Sequence, residues 1–205
     1  VLFGFRNSLL LGLVVLLIAV PVGGVYGLVA GYFTSRLGRI MMRIADVFLS
    51  IPSLVLAMVV LGLFVPSQIL AMIAISVVWW PWYARLVYSV SRRLKGAGFV
   101  EAATVIGASH SRILFIEILP NCIPIVITKA ALDLGYVILL GASLSFIGLG
   151  APPPTPDLGT MVAEGASLLP DLWWMCFSAG GAIFLLVLGF NLLGDGLNEY
   201  IETGV

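Results

Sequence analysis

Charge is what this sequence has least of. Ten acidic and ten basic side chains make up 10% of 205 residues, against 61% hydrophobic, and the mean hydropathy is +1.16. Soluble domains carry roughly a quarter charged residues, and one core of this length cannot hide so much apolar surface. An ordinary soluble domain is thereby excluded. Histidine is limited to His110 and cysteine to Cys122 and Cys176, whose spacing fits no metal or redox pattern. One imidazole and two separated thiols cannot build a metal centre from this chain alone. The thiols read as buried or lipid-facing. No Gly-rich loop ending in Gly-Lys-Ser/Thr occurs, so any ATP in the system is bound by another polypeptide.

What is present in quantity is uncharged sequence. Asn7 to Ser35 is a run of 29 residues, enough for one tilted span. Val47 to Ala84 is a run of 38 residues, about 57 Å as a single helix at 1.5 Å per residue. That overshoots a hydrocarbon core of roughly 30 Å. Pro66-Ser67-Gln68 interrupts it, which predicts two spans joined by a tight turn. Further apolar regions cover about 123–149 and 172–194. The expectation is an all-α, polytopic membrane bundle of about five helices, forming one transmembrane domain over 1–205. Long unbroken apolar runs, in place of short alternating segments, exclude a closed β-barrel.

The few charges are segregated. Arg36, Arg39 and Arg43 lie between the first two spans, and Arg85, Arg92, Arg93, Lys95 and Arg112 lie at or after the third. The Pro-rich segment 151–171 has no basic residue and carries Asp157, Glu164 and Asp171. The positive-inside rule makes the first two groups cytoplasmic and the acidic loop external, with Arg6 as the exception. Alternation then puts the N-terminus outside and the C-terminus inside. An external N-terminus with no leader peptide ahead of it leads to the expectation that an upstream span is missing.

The stretch 91–121 holds six of the twenty charges and the histidine, between runs with almost none. Residues 97–106 can form a short helix with Phe99, Ala103 and Ile106 on one face. Gly107 can end it in the left-handed conformation. Ser109 is placed to cap a second helix running to Leu119, which Pro120 should stop or kink. Small Ala102 and Ala103 would admit a partner closely, and Glu101 offers it a carboxylate. The alternative is a solvated connecting loop.

Other features have two readings each. Ala19, Gly23, Gly27 and Gly31 form a small-residue stripe, read as an internal packing seam ahead of a subunit interface. Lys129 and Asp133 are one turn apart in the fourth span. Asp133 is a candidate for the substrate path, and a local ion pair with a snorkelling lysine is the other reading. Trp79, Trp80 and Trp82 read as interfacial anchors or packing residues. Gly141-Ala142-Ser143-Leu144-Ser145 lacks the closing glycine of a serine-nucleophile motif, and its only possible base, His110, is predicted near the opposite membrane face.

Glu101-Ala102-Ala103, three residues, Gly107, and Leu119-Pro120 twelve residues further on resemble the cytoplasmic loop of ABC-importer permeases. The flanks extend the resemblance over nearly the whole chain. Met42-Arg43-Ile44-Ala45-Asp46, Trp80-Pro81-Trp82-Tyr83-Ala84-Arg85, Leu132-Asp133-Leu134-Gly135, Ser143 to Gly150, and Phe190-Asn191-Leu192-Leu193-Gly194-Asp195-Gly196-Leu197 are similar to the shorter, C-type permease of dipeptide, oligopeptide and nickel importers. Glu117 departs from the general importer motif, which has Ile there, although the peptide branch often carries a polar residue at that place, and Leu158 stands where the peptide branch commonly has Trp.

The resemblance implies the type I importer permease fold with its first helix missing, in a prokaryotic plasma (inner) membrane. It implies a non-enzymatic subunit that binds no cofactor, with ATP and Mg on separate ATPase subunits. The implied partners are a homologous second permease, two cytoplasmic ATPases, an external solute-binding protein and the lipid bilayer, with no nucleic acid. Glu101, Ala102, Ala103, Gly107, Leu119 and Pro120 would form the coupling loop within about 91–121. Peptides are the expected cargo, with nickel or another small solute as the alternative. A secondary transporter would need no such loop.

Overall fold

The computed structural model describes residues 1–33 and 36–203. Among these, all regular structure is helical. The order is α1 (Leu2–Tyr32), α2 (Arg36–Leu49), α3 (Ser53–Leu61), α4 (Gln68–Leu94), α5 (Gly98–Val105), α6 (His110–Arg112), a π-helical segment (Ile113–Ile118), α7 (Leu119–Phe146), α8 (Leu158–Ala166) and α9 (Trp173–Thr203).

Among the described residues, four helices are long and apolar enough to cross a membrane: Leu2–Tyr32, Gln68–Leu94, His110–Phe146 and Trp173–Ile201. The pair Arg36–Leu49 and Ser53–Leu61 is a fifth candidate only as a broken span. Here the structure differs from the reading of a continuous helix from Val47. Pro52 immediately precedes α3 in an extended conformation, and the residue before a proline disfavours the α region. Nine residues in α3 reach only about 14 Å, far short of a roughly 30 Å core. The interruption expected at Pro66-Ser67-Gln68 is present. Gln68 opens α4, and the Leu70 backbone N–H donates to Ser67 Oγ at 3.2 Å.

The chain divides into two compact units. The first comprises Val1–Leu17, Pro52–Val78 and Ala130–Val205. In it the acidic segment 151–171, expected as a loop, folds partly into α8. Asp157 caps that helix, its Oδ1 accepting from the N–H groups of Gly159 (2.9 Å) and Thr160 (3.1 Å). Asp157 is thus a buried cap, where the sequence reading had it only as one charge of an acidic loop. Leu158, the departure from the family pattern, is fully buried against Gly4 of α1. Asn7 Nδ2 donates to the Pro156 carbonyl at 2.7 Å, and Gln68 Nε2 donates to the Asn7 carbonyl at 3.3 Å. The first bond satisfies a carbonyl that the proline-rich segment would otherwise leave bare, and the second adds a side-chain donor to a carbonyl within α1.

The second unit comprises Ile18–Ile51 and Trp79–Lys129. Its seam is the glycine stripe. Cβ atoms at Gly23, Gly27 and Gly31 would overlap the carbonyl oxygens of Trp80, Ala84 and Tyr88, one turn apart on α4. Backbone thus lies on backbone, and Ser91 Oγ donates to the Leu28 carbonyl at 3.1 Å. This agrees with the internal-seam reading. α2 lies against the same unit through Met42 and Ala45, packed with Ala30 and Trp80. Tyr26 stands edge-on to Trp80, with ring centroids 4.9 Å apart, and its hydroxyl donates to the Met41 carbonyl at 2.8 Å. Trp80 is therefore a packing residue. Arg85 and Asp46 form an ion pair at 2.6 Å.

Candidate coupling site

The polar stretch forms two short helices joined at Gly107. α5 starts after Ala97, whose backbone is extended, and Glu101 stands in its first turn, where a carboxylate complements the partial positive charge of a helix N-terminus. The end of α5 is a Schellman motif. The Ala108 N–H donates to the Ala103 carbonyl at 3.0 Å and the Gly107 N–H to the Thr104 carbonyl at 3.0 Å. Gly107 has φ +82, the left-handed conformation this motif places at the residue after the cap. A side chain there is strained even though nothing crowds a Cβ within 4 Å. Ser109 then caps the next helix, accepting from the Arg112 N–H at 3.3 Å. Turn and cap both agree with the sequence reading.

The faces of α5 do not. Val100 and Ala103 are buried in a cluster with Leu28, Tyr32, Val87, Val90, Ile113, Leu114 and Ile118. Phe99 and Ile106, expected beside Ala103, are exposed, and Val105 and Ile106 are the most open at 87% and 80%. Ala103 is therefore unavailable to a partner, because the unit's own core takes up its small side chain. Glu101 and Ala102 do point outward. The sequence reading grouped Ile106 with Ala103 and passed over Val105. The available signal was a pair of branched apolar residues beside a turn glycine, in the most charged stretch of the chain.

Pro120 neither stops nor separates the second helix. His110–Phe146 runs on for 37 residues. Proline lacks an N–H, and its ring clashes with the carbonyl four residues back. The turns before it are π-helical, with the Leu119 N–H reaching back to the Leu114 carbonyl. A π turn is the kind of local irregularity by which a helix continues through a proline. Asn121 Nδ2 satisfies the Glu117 carbonyl at 2.7 Å. Leu119 packs against the buried cluster and Pro120 is exposed. Leu119 thus belongs to the support of the site.

Beside α5 lies an open cavity of about 660 Å³, lined by Tyr32, Phe33, Lys95, Glu101, Thr104, Val105 and His110 among others. The Tyr32 hydroxyl and His110 Nδ1 form a hydrogen bond of 2.8 Å across a separation of 78 residues. Asp133 lies elsewhere, in the first unit, on α7 at 1% exposure. Among the described residues, no three His, Cys, Asp or Glu side chains cluster as metal ligands would.

Comparisons with known proteins follow the same lines. Residues 23–205 match the family described as binding-protein-dependent transport system inner membrane component. The chain is 43% identical over 202 residues to the probable D,D-dipeptide transport system permease protein DdpC of Escherichia coli K12, covering 98% of this chain and 68% of that protein. It is 38% identical over 202 residues to the dipeptide transport system permease protein DppC of Haemophilus influenzae, with the same coverage of each. The glutathione transport system permease protein GsiD of Pectobacterium atrosepticum is 37% identical, over 98% of this chain and 67% of its own length. The chain thus spans about two thirds of the length of these relatives. In fold it is similar to a chain of the MetNI methionine ABC transporter in an inward-facing conformation, with TM-score 0.75 and 21% identity, covering 95% of this chain and 92% of that one.

Proposed function

This chain belongs to the family of binding-protein-dependent transport system inner membrane components, and on that premise we propose that it is the permease subunit of an ATP-driven peptide importer whose residues 97–120 couple it to an ATPase. The domain is 1–205, with the coupling segment at about 91–121 on the cytoplasmic face and the segment 151–171 on the external face. Its partners are a second, homologous permease, two ATPase subunits that hold ATP and Mg, and an external solute-binding protein. Peptides are the cargo by analogy with the dipeptide and glutathione permeases that the chain resembles.

The observation that carries this reading is the outward face of α5. Phe99, Ala102, Val105 and Ile106 are exposed in the stretch richest in charge. Apolar side chains held outward by a capped helix and a left-handed glycine favour contact with a protein groove over open water. The helix is backed by Val100 and Ala103, so a push on its outer face is transmitted to the core. Closure of an ATPase pair would displace the helix as a rigid body and switch the spans between inward- and outward-facing arrangements. Solute then passes from the binding protein to the path between the two permeases.

The test uses full-length protein reconstituted with its partners. Alone, the permease should hydrolyse no ATP, and with the ATPase subunits it should form a complex that survives size-exclusion chromatography. Gly107→Val forces a β-branched residue to positive φ, and Glu101→Lys reverses the docking charge. Both variants should insert normally, bind ATPase weakly and import nothing. Normal binding and import by both would reduce 97–120 to a connecting loop.

A further inference from the structure

We infer that the hydrogen bond between Tyr32 and His110 is the strut through which movement of the coupling helices reaches α1; this rests on the coupling reading above. Tyr32 is the last residue of α1 and His110 the first of α6. The Tyr32 ring is buried at 7% exposure, in one cluster with Val100 and Ala103 of α5 and Val87 and Val90 of α4. The imidazole stands edge-on to Tyr32 and Phe33, at 5.6 and 5.9 Å between centroids. Lys95 Nζ lies 5.4 Å from the Tyr32 ring centroid. The end of α1 is therefore met by every element around the Gly107 turn.

Most of these contacts are apolar and tolerate sliding. The bond of 2.8 Å is directional. His110 is exposed, and both partners line the open cavity beside α5, so packing alone does not fix the imidazole. Position is what the bond adds. When a partner displaces the Gly107 turn, His110 moves with the start of α6 and carries the end of α1 with it. The two residues are positioning residues: they touch neither solute nor nucleotide.

Tyr32→Phe keeps the ring and its packing and removes only the hydroxyl. His110→Ala removes the other partner, and His110→Asn restores a hydrogen-bonding atom near the place of Nδ1. In vesicles containing the full-length complex, the quantity read is ATP hydrolysed per solute imported, alongside ATPase retention. Retention should match wild type in all three variants. The ratio should rise roughly 2- to 30-fold in Tyr32→Phe and in His110→Ala, the range for residues that carry coupling. The double variant should be no worse than either single one, because both remove the same bond, and His110→Asn should recover part of the loss. An unchanged ratio in both single variants, or additive losses in the double one, overturns the strut. If Tyr32→Phe does not accumulate, equal ratios for His110→Ala and His110→Asn overturn it. Failure of the coupling reading itself looks different: wild-type permease then retains no ATPase, or Gly107→Val and Glu101→Lys both retain it and import normally.

Discussion

Ala102 and Ala103 are chemically the same residue and do different things here. Ala102 lies on the exposed face of α5, while Ala103 is buried and supplies the carbonyl that closes the Schellman motif. A substitution at either site that disturbs import would act through a different link: contact at the first, packing at the second. Asp133 poses a similar question. It is buried in the helical interior, where a charged group is expensive unless its environment compensates it. If it serves the translocation path, Asp133→Asn keeps the shape, removes the charge and should lower import severalfold while the assembled complex still hydrolyses ATP. If it is only one half of a local pair with Lys129, import persists, and the double change Lys129→Gln with Asp133→Asn is close to neutral, since removing both partners costs less than stranding one. Transport and ATPase assays on the single and double variants decide between these outcomes, and a silent single variant removes Asp133 from the path.

At the scale of elements, the join between α1 and α4 is made by absence of side chains. Backbone contact along Gly23, Gly27 and Gly31 gives close van der Waals packing, the main attraction available between helices in lipid. Gly27→Ala puts a methyl group into the Ala84 carbonyl, and overpacking of this kind costs roughly 1–3 kcal/mol or more. Gly24 is the matched control, because a Cβ there meets nothing within 4 Å. Gly24→Ala should be neutral or stabilising by about 0.5–1 kcal/mol, the propensity difference in a helix. Melting temperatures of the two purified variants should therefore move apart, with Gly27→Ala lower. The stripe itself was legible in the sequence, since a period of four small residues can have only a packing cause. Its partner was not, because nothing in Trp80, Ala84 or Tyr88 marks their carbonyls as the surface it meets.

At the scale of the molecule, the question is which side of the bilayer each polar segment faces. The proposed topology, from the positive-inside rule, has α5 and the Gly107 turn in the cytoplasm and α8 outside. Substituted-cysteine labelling in a background lacking Cys122 and Cys176 checks this directly. Glu164→Cys should react with a membrane-impermeant thiol reagent in intact cells, and Val105→Cys only after permeabilisation. The reverse pattern would invert the topology and remove the coupling reading. Apolar side chains such as Phe184, Leu185 and Leu192 on α9 are exposed, as expected of surfaces that meet lipid tails.

Composition and periodicity by themselves determined that this protein lives in a membrane, roughly where four of its long helices lie, that the chain breaks near Pro66, and that Gly107 turns between two short helices. These are local properties: run length sets a span, and a glycine flanked by helix signals sets a left-handed cap. The resemblance carried by the Glu-Ala-Ala and Gly spacing added the family. Only the tertiary structure decided which face of α5 turns outward, because a helical period gives a stripe but not the neighbour that covers it. It also decided that Pro120 lies within a continuous helix, since the effect of a proline depends on the hydrogen-bond register of the turns before it. Asp157 became a buried cap for the same kind of reason. And it joined Tyr32 to His110, two ordinary residues 78 positions apart, whose meeting no local pattern specifies.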